Sequence, residues 1–273
     1  MNNIKYMKVP FCGSLLMLTM STAAQTATTA IGNKNNQQDT IVVHAKSQNA
    51  MDVPFNVIGY TAKMVKDQQA TTVAEVVNND AGVQNVQGYG NFAETYRIRG
   101  FKLDGNDMTL GGLPGILPRQ MVDTAMIERV EILKGANALV NGAASSGVGG
   151  VINLEPKRAE DIPITHLGLD YTSMSQVGGA LDVGRRFGEN NQFGARINLV
   201  HREGETAVKN DKRRTTSASL ALDYRGDRVR SSLDLGYQKK TFHGGTMGVD
   251  ISGVYFISLV PNNTHNYSQK WGL

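Results

Sequence analysis

Cysteine is nearly absent from this chain, proline is scarce, and neither sign of charge dominates. The 273 residues hold 1 Cys and 7 Pro, and the formal net charge is only +4. The lone Cys12 lies in an N-terminal stretch with the marks of a secretory signal: Lys5 and Lys8, an apolar run from Val9 through Met20, then small Ser21, Thr22, Ala23 and Ala24. Cleavage after Ala24 would leave a mature chain with no cysteine, and therefore no disulfide and no Cys-based metal site. Val9, Pro10 and Phe11 before Cys12 are wrong for a lipid-attachment box. The apolar run falls short of the roughly 20 residues a membrane-crossing helix needs, and no other stretch reaches that length. A barrel crosses with alternating strands and leaves only a weak hydropathy signal, so a membrane is not excluded. The small, scattered positive excess gives no footprint for nucleic acid.

Catalytic constellations are missing as well. His44, His166, His201, His243 and His265 are far apart and show no paired metal spacing. Gly88-Tyr89-Gly90 and Gly147-Val148-Gly149-Gly150 lack both the strand-glycine-helix context and a following Gly-Lys-Ser/Thr. No serine stands in a nucleophile elbow. The expectation is a protein that is not an enzyme and has no cofactor of its own.

What is present divides by character. Residues 25–38 are Ala, Thr, Asn and Gln with little to pack, as in a flexible linker. Asp39-Thr40-Ile41-Val42-Val43-His44-Ala45 is a short β-branched run, suited either to strand addition on a partner's sheet edge or to an edge strand of the domain that follows. From Met51 to Arg158 the pattern is mixed α and β. Thr72-Val73-Ala74-Glu75 is a capping box, and Val73, Val76 and Val77 share a helical face. Tyr96-Arg97-Ile98-Arg99-Gly100-Phe101 and Arg129-Val130-Glu131-Ile132-Leu133-Lys134 alternate as strands, and Gly147 to Leu154 reads as a glycine-loosened turn entering a buried strand.

After Pro156 the chain becomes an all-β meander. Strands are expected at 164–172, 177–187, 192–202, 216–224 and 229–241, each near the barrel length of about 9 to 11 residues. Ala195, Ile197 and Leu199 alternate with Arg196, Asn198 and Arg202, and Leu233, Leu235 and Tyr237 with Ser232, Asp234 and Gln238. One face suits lipid and the other a wet lumen, whereas a soluble sandwich would need a second packing face. Tight turns at 188–191 and 226–228 alternate with a long charged connection, 203–215. Five strands do not close a barrel, because an open edge in hydrocarbon stays unsatisfied.

At this point the residues resemble the TonB-dependent siderophore receptors of the Gram-negative outer membrane. Asp39, Thr40, Ile41, Val42 and Val43 look like the TonB box; Val53-Pro54-Phe55 and Asp67-Gln68 resemble the opening of the plug, and Ile98-Arg99-Gly100-Phe101 its central motif. The most specific block is Ile127 to Gly135, followed by Gly147 to Asn153 and Lys157-Arg158. Ala136 departs from a usual proline and Asn141-Gly142 from a common aromatic-glycine pair. The resemblance implies an α+β plug followed by the first strands, about five, of an antiparallel transmembrane β-barrel that would have about 22 when complete. The implied domains are a signal peptide at 1–24, a linker with the TonB box (39–45) at 25–50, a plug at 51–158 and the N-terminal part of a barrel at 159–273, the whole looking truncated.

Such receptors take up ferric siderophores across the outer membrane, here leaning to a hydroxamate such as ferrichrome. Their partners are TonB, energised by ExbB and ExbD, and outer-membrane lipid; the chain would act as a monomer, without nucleic acid. Heme or cobalamin is the alternative cargo, and a non-transporting fragment the alternative fate. The iron arrives wrapped in its chelator, so no protein metal ligands are needed. By position, loops 84–95 and 111–121 resemble the apical loops, with Tyr89 and Arg119 as first candidates for the ligand and Gln87, Asn91, Phe92 and Gln120 behind them. Aromatic rings give a chelate a flat wall, and Arg or amide groups hydrogen-bond its carbonyls. Arg97 and Arg99, with Glu128 and Glu131, are expected to pair charges between plug and barrel.

Overall fold

The computed structural model of the protein describes residues 40–43, 46–49, 56–87, 93–135, 148–172 and 175–244, with 262, 264 and 265; for 40–43, 46–49 and Gln87 it describes the backbone alone. The N-terminal signal lies outside the described residues. Two short strands, β1 (Thr40–Val43) and β2 (Lys46–Asn49), form an antiparallel pair in the register Thr40↔Asn49 to Val43↔Lys46. The β-branched run, expected either to add to a partner's sheet or to edge the domain that follows, pairs locally with β2.

Strand β3 (Asn56–Thr61) leads into helix α1 (Ala62–Asp67), whose N-cap Thr61 accepts from the Met64 amide. Helix α2 (Val73–Val77) starts at the anticipated capping box: the Glu75 amide donates to Thr72 Oγ1, and Glu75 Oε2 accepts from the Thr72 amide. The same carboxylate also takes the Thr71 amide at 2.6 Å. Val73, Val76 and Val77 are fully buried, each worth about 1.5–3 kcal/mol on leaving water. Such burial, rather than propensity, holds so short a helix.

A meander of β4 (Val83–Gln87), β5 (Glu94–Ile98) and β6 (Phe101–Asp104) follows. Tyr96 to Phe101 was read as one strand, but Arg99 and Gly100 both have positive φ, 52° and 88°, and reverse the chain between Ile98 and Phe101. Two consecutive left-handed residues are the geometry of a type I′ hairpin, which arginine signals poorly. Strands β7 (Thr109–Leu110), β8 (Ile127–Lys134) and β9 (Gly150–Pro156) join β3 in the order β3-β8-β9-β7, with β7 parallel to β9. Val148 and Gly149 form the turn and bend that enter β9, as anticipated; Gly147 lies outside the described residues. A Cβ on Gly149 would lie 2.1 Å from the Ile98 carbonyl oxygen, so glycine lets β9 start against the β5–β6 hairpin. Tyr96, Ile98, Val130, Ile132, Ile152 and Leu154 fill the core between these layers.

Five antiparallel strands follow in sequence order: β10 (Ile164–Thr172), β11 (Gln176–Phe187), β12 (Phe193–Glu205), β13 (Lys212–Arg225) and β14 (Arg230–His243). Their alternation is as expected. Leu167, Leu169, Tyr171, Ile197, Leu199, Leu222 and Tyr237 are exposed on one face, while Arg196, Asn198, Ser217, Asp223 and Asp234 are buried on the other. β12 and β13 run past 202 and start before 216, so the long connection shortens to 206–211; Thr206 and Asp211 close it with an amide-to-carbonyl bond of 2.8 Å. Part of the inner face meets the plug, through Asp182, Arg196 and Asp234.

Candidate functional site: the apical loops and the plug–barrel joint

The two loops proposed from the sequence are brought together at their bases. Ala93 bridges Gln120, and the Glu94 amide donates to the Arg119 carbonyl at 3.3 Å. Gln87 ends β4 opposite Glu94. Arg119 is exposed and Gln120 half-buried. Tyr89, Asn91 and Phe92 lie outside the described residues. Close by, partial burial pushes the Asp104 carboxyl up, but bonds from Lys102 and Thr95 and the charge of Arg119 outweigh it and hold the group below the ordinary carboxylate value.

Beneath this joint sits a buried carboxylate. Glu94 accepts from Tyr96 Oη at 2.6 Å and from the Ala74 amide, in the first turn of α2, at 3.3 Å. Burial pushes the Glu94 carboxyl up, with the bond from Tyr96 opposing it. Burial and the neighbouring Glu94 raise the Tyr96 phenol well above its usual value.

A second polar network anchors loop 111–121 from below. Asn153 Oδ1 accepts from Thr109 Oγ1 at 2.8 Å and from the Gly112 amide at 2.9 Å, while its Nδ2 donates to Glu131 Oε2 at 2.9 Å. Glu131 takes Arg129 Nε at 2.7 Å. Glu131 was expected to pair with the barrel; it is fully buried in the plug, on the sheet face it shares with its cross-strand partner Asn153. Beside it, burial and then the Glu131 charge push Glu155 up to about 7.

The plug meets the barrel strands through charge. Arg196 Nη1 bonds Glu128 Oε2 at 3.1 Å and the Arg158 carbonyl at 2.9 Å, while Nε and Nη2 hold Asp182 at 2.8 and 2.9 Å. Lys157 pairs with Asp182 at 3.0 Å, and Arg158 with Asp234 at 2.6 Å. Glu128 thus pairs across the boundary as expected. Among the described residues Arg97 and Arg99 have no such partner, and both stand exposed on the β5–β6 hairpin. The barrel partners Asp182, Arg196 and Asp234 were not singled out as pairing residues, although each carries a charge on the inward parity of its strand. A Cβ on inward-facing Gly194 would lie 2.2 Å from Asp223 Oδ1, so glycine there makes room for the Arg186–Asp223 pair. Among the described residues, no group of three or more His, Cys, Asp or Glu is placed to hold a metal ion, and no helix is long and apolar enough to cross a membrane.

Comparison with known proteins agrees with this geometry. Residues 49–151 match the TonB-dependent Receptor Plug Domain family. The chain is 61% identical over 226 residues to the ferrichrome receptor FcuA of Yersinia enterocolitica, covering 82% of this chain and 30% of that receptor. It is 30% identical over 148 residues to a hemin receptor of the same species, covering 51% of this chain and 21% of the relative. The crystal structure of BauA, the ferric preacinetobactin receptor of Acinetobacter baumannii, superposes with a TM-score of 0.73 at 40% identity, over 77% of this chain and 32% of that one. The chain therefore spans about a third or less of the length of these relatives. Over residues 49–151 the chain is thus identified with the TonB-dependent receptor plug, and with the five strands that follow it is similar to TonB-dependent receptors of the Gram-negative outer membrane.

Proposed function

We propose that this chain is the plug and leading barrel portion of a receptor that takes a ferric siderophore, of the ferrichrome hydroxamate class, across the outer membrane by TonB-dependent uptake. The observation that carries the reading is the 61% identity to a ferrichrome receptor over 82% of the chain. Supporting it, the bases of loops 84–95 and 111–121 meet at Ala93–Gln120 and Glu94–Arg119. Tyr89, Phe92 and Asn91 with Gln87, Arg119 and Gln120 would then form one ligand surface, aromatic groups walling the chelate and polar groups bonding its carbonyl oxygens. Residues 39–43 serve TonB. β1 is paired on one edge by β2 in a two-stranded sheet, which leaves the other edge for a partner strand. The segments are a signal at 1–24, a coupling arm at 25–50, a plug at 51–158 and barrel from 159 onward.

Uptake requires no bond chemistry on the protein. Ligand binding need only favour one of two plug arrangements, by an amount equal to its difference in affinity for the two. The test is equilibrium binding of ferrichrome to the full chain in detergent micelles, with hemin as the competing cargo. Saturable ferrichrome retention, reduced about tenfold or more in Tyr89→Ala and Arg119→Ala, is the expected result. Preference for hemin would transfer the site to the second cargo, and retention of neither would leave a non-transporting fragment.

A further inference from the structure

Gln238, on the inward parity of β14, bonds the plug's main chain on both sides of Val122. Its Nε2 donates to the Met121 carbonyl at 2.6 Å and its Oε1 accepts from the Asp123 amide at 2.7 Å. One side-chain amide thus supplies the donor and the acceptor that an adjoining strand would give. Neither Glu nor Lys could do both, since a carboxylate does not donate and an ammonium does not accept. Val122 and Asp123 are buried, 5% and 1% exposed, while Gln238 and Met121 at the ends of the clamp are half-buried.

The clamped segment has a second set of attachments on its far side. Asp123 bridges Thr72, the Thr124 amide donates to the Thr71 carbonyl at 3.3 Å, and Thr124 Oγ1 donates to the Ala70 carbonyl at 2.7 Å. Thr71 and Thr72 are the residues whose amides Glu75 caps at the head of α2. Arg202 Nη1 stands 3.7 Å from Asp123 Oδ2 as a second, looser link to the barrel. Immediately upstream, Arg119 and Gln120 meet Glu94 and Ala93 at the apical joint. Residues 119–124 are therefore shared by the apical loops, the barrel wall and the helix head.

We propose that Gln238 is a positioning residue: by clamping Met121 and Asp123 to the barrel wall it sets the root of loop 111–121 and, through Asp123 and Thr124, the head of α2. Its consequence for ligand binding rests on the reading of that loop as ligand-facing; the clamp itself does not.

Hydrogen exchange on the full chain in detergent micelles tests the clamp directly. In the parent, the Asp123 amide should open only when β14 opens, and so exchange as slowly as the central amides of that strand. Gln238→Leu, which keeps the volume and removes both bonds, should speed exchange of peptides spanning 121–126 and 72–78 by about tenfold or more, with β10 unchanged. Unchanged exchange at 121–126 with β10 intact would overturn the proposal. If the variant loses protection everywhere, the parent decides: an Asp123 amide exchanging far faster than β14 would overturn the clamp, and matched rates uphold it. Ferrichrome retention separates the two ideas. A parent that retains none removes the ligand reading, while the exchange data still judge the clamp.

Discussion

Arg158, leaving the plug sheet, and Asp234, inside β14, meet across the plug–barrel boundary in a two-point ion pair, Nη2 to Oδ2 at 2.6 Å and Nε to Oδ1 at 3.3 Å. Burial alone would weaken the proton affinity of Arg158, but the bond to Asp234 outweighs it and keeps the guanidinium charged. The fork geometry fixes direction as well as distance, which a lysine would not do. Docking of plug on barrel is therefore specified at a point and not merely favoured by opposite net charge.

Removing one partner should cost more than removing both. Arg158→Met leaves Asp234, whose side chain is 12% exposed, without its cation, and should destabilise the docked plug by about 2–4 kcal/mol. Arg158→Met/Asp234→Leu should recover most of that loss. Chemical denaturation in micelles gives both values, and equal stability of the single and double variants would remove the pair from the account.

Glu155 should make plug stability depend on pH. Its folded-state value of about 7 stands above the ordinary 4.5, so the fold binds this proton more tightly than the unfolded chain does. The stabilising contribution is complete below about pH 4.5 and is lost as pH rises through about 7. Glu155→Gln should therefore raise stability at pH 8, by about 3 kcal/mol at most, and change it little at pH 4. Melting temperatures of parent and variant across that range check the sign; a gap that widens toward acid would contradict it.

The head of α2 should be sensitive to a single hydroxyl. Thr72→Ala removes the acceptor for the Glu75 amide and should cost about 1 kcal/mol. Glu75→Ala should cost at least as much, because its carboxylate serves both the Thr71 and Thr72 amides. Urea titration of each variant measures the difference, and a smaller loss for Glu75→Ala would show that the carboxylate bonds add little.

Parity on the outer sheet face predicts where a charge is tolerated. Leu169 is 86% exposed near the middle of β10. Leu169→Arg should weaken partition of the chain into phosphatidylcholine vesicles by about 2–4 kcal/mol. Glu189→Lys, in the exposed turn after β11, should leave partition nearly unchanged. Vesicle co-flotation reads both, and equal partition of Leu169→Arg and parent would mean that this face does not meet lipid.

Several of these features were legible in the sequence because their cause is local. Thr72 and Glu75 declared a helix start by spacing alone, and Leu199 beside Asn198 declared a two-faced strand by period alone. The turn at Arg99–Gly100 was not legible, since Arg99 keeps the alternation and a lone glycine inside a strand pattern marks a bulge as readily as a reversal; only the layer into which Tyr96 and Ile98 pack requires the reversal. The ends of β12 and β13 were set short for a related reason: charged Glu203 and Arg214 look like loop, yet they pair across the two strands once these are in register.

By itself the sequence determined the division into a mixed α/β unit and alternating strands, the outward and inward faces of those strands, and the family motifs from Ile127 to Arg158. Which inward side chain meets which plug group was decided by tertiary structure alone. Glu128 reaches Arg196 while Glu131, three residues on, is sealed beside Asn153, and Gln238 finds the main chain at Met121 and Asp123. Periodicity fixes the face on which a side chain stands, but a partner more than a hundred residues away is fixed only when two sheets have packed and set the distance between them.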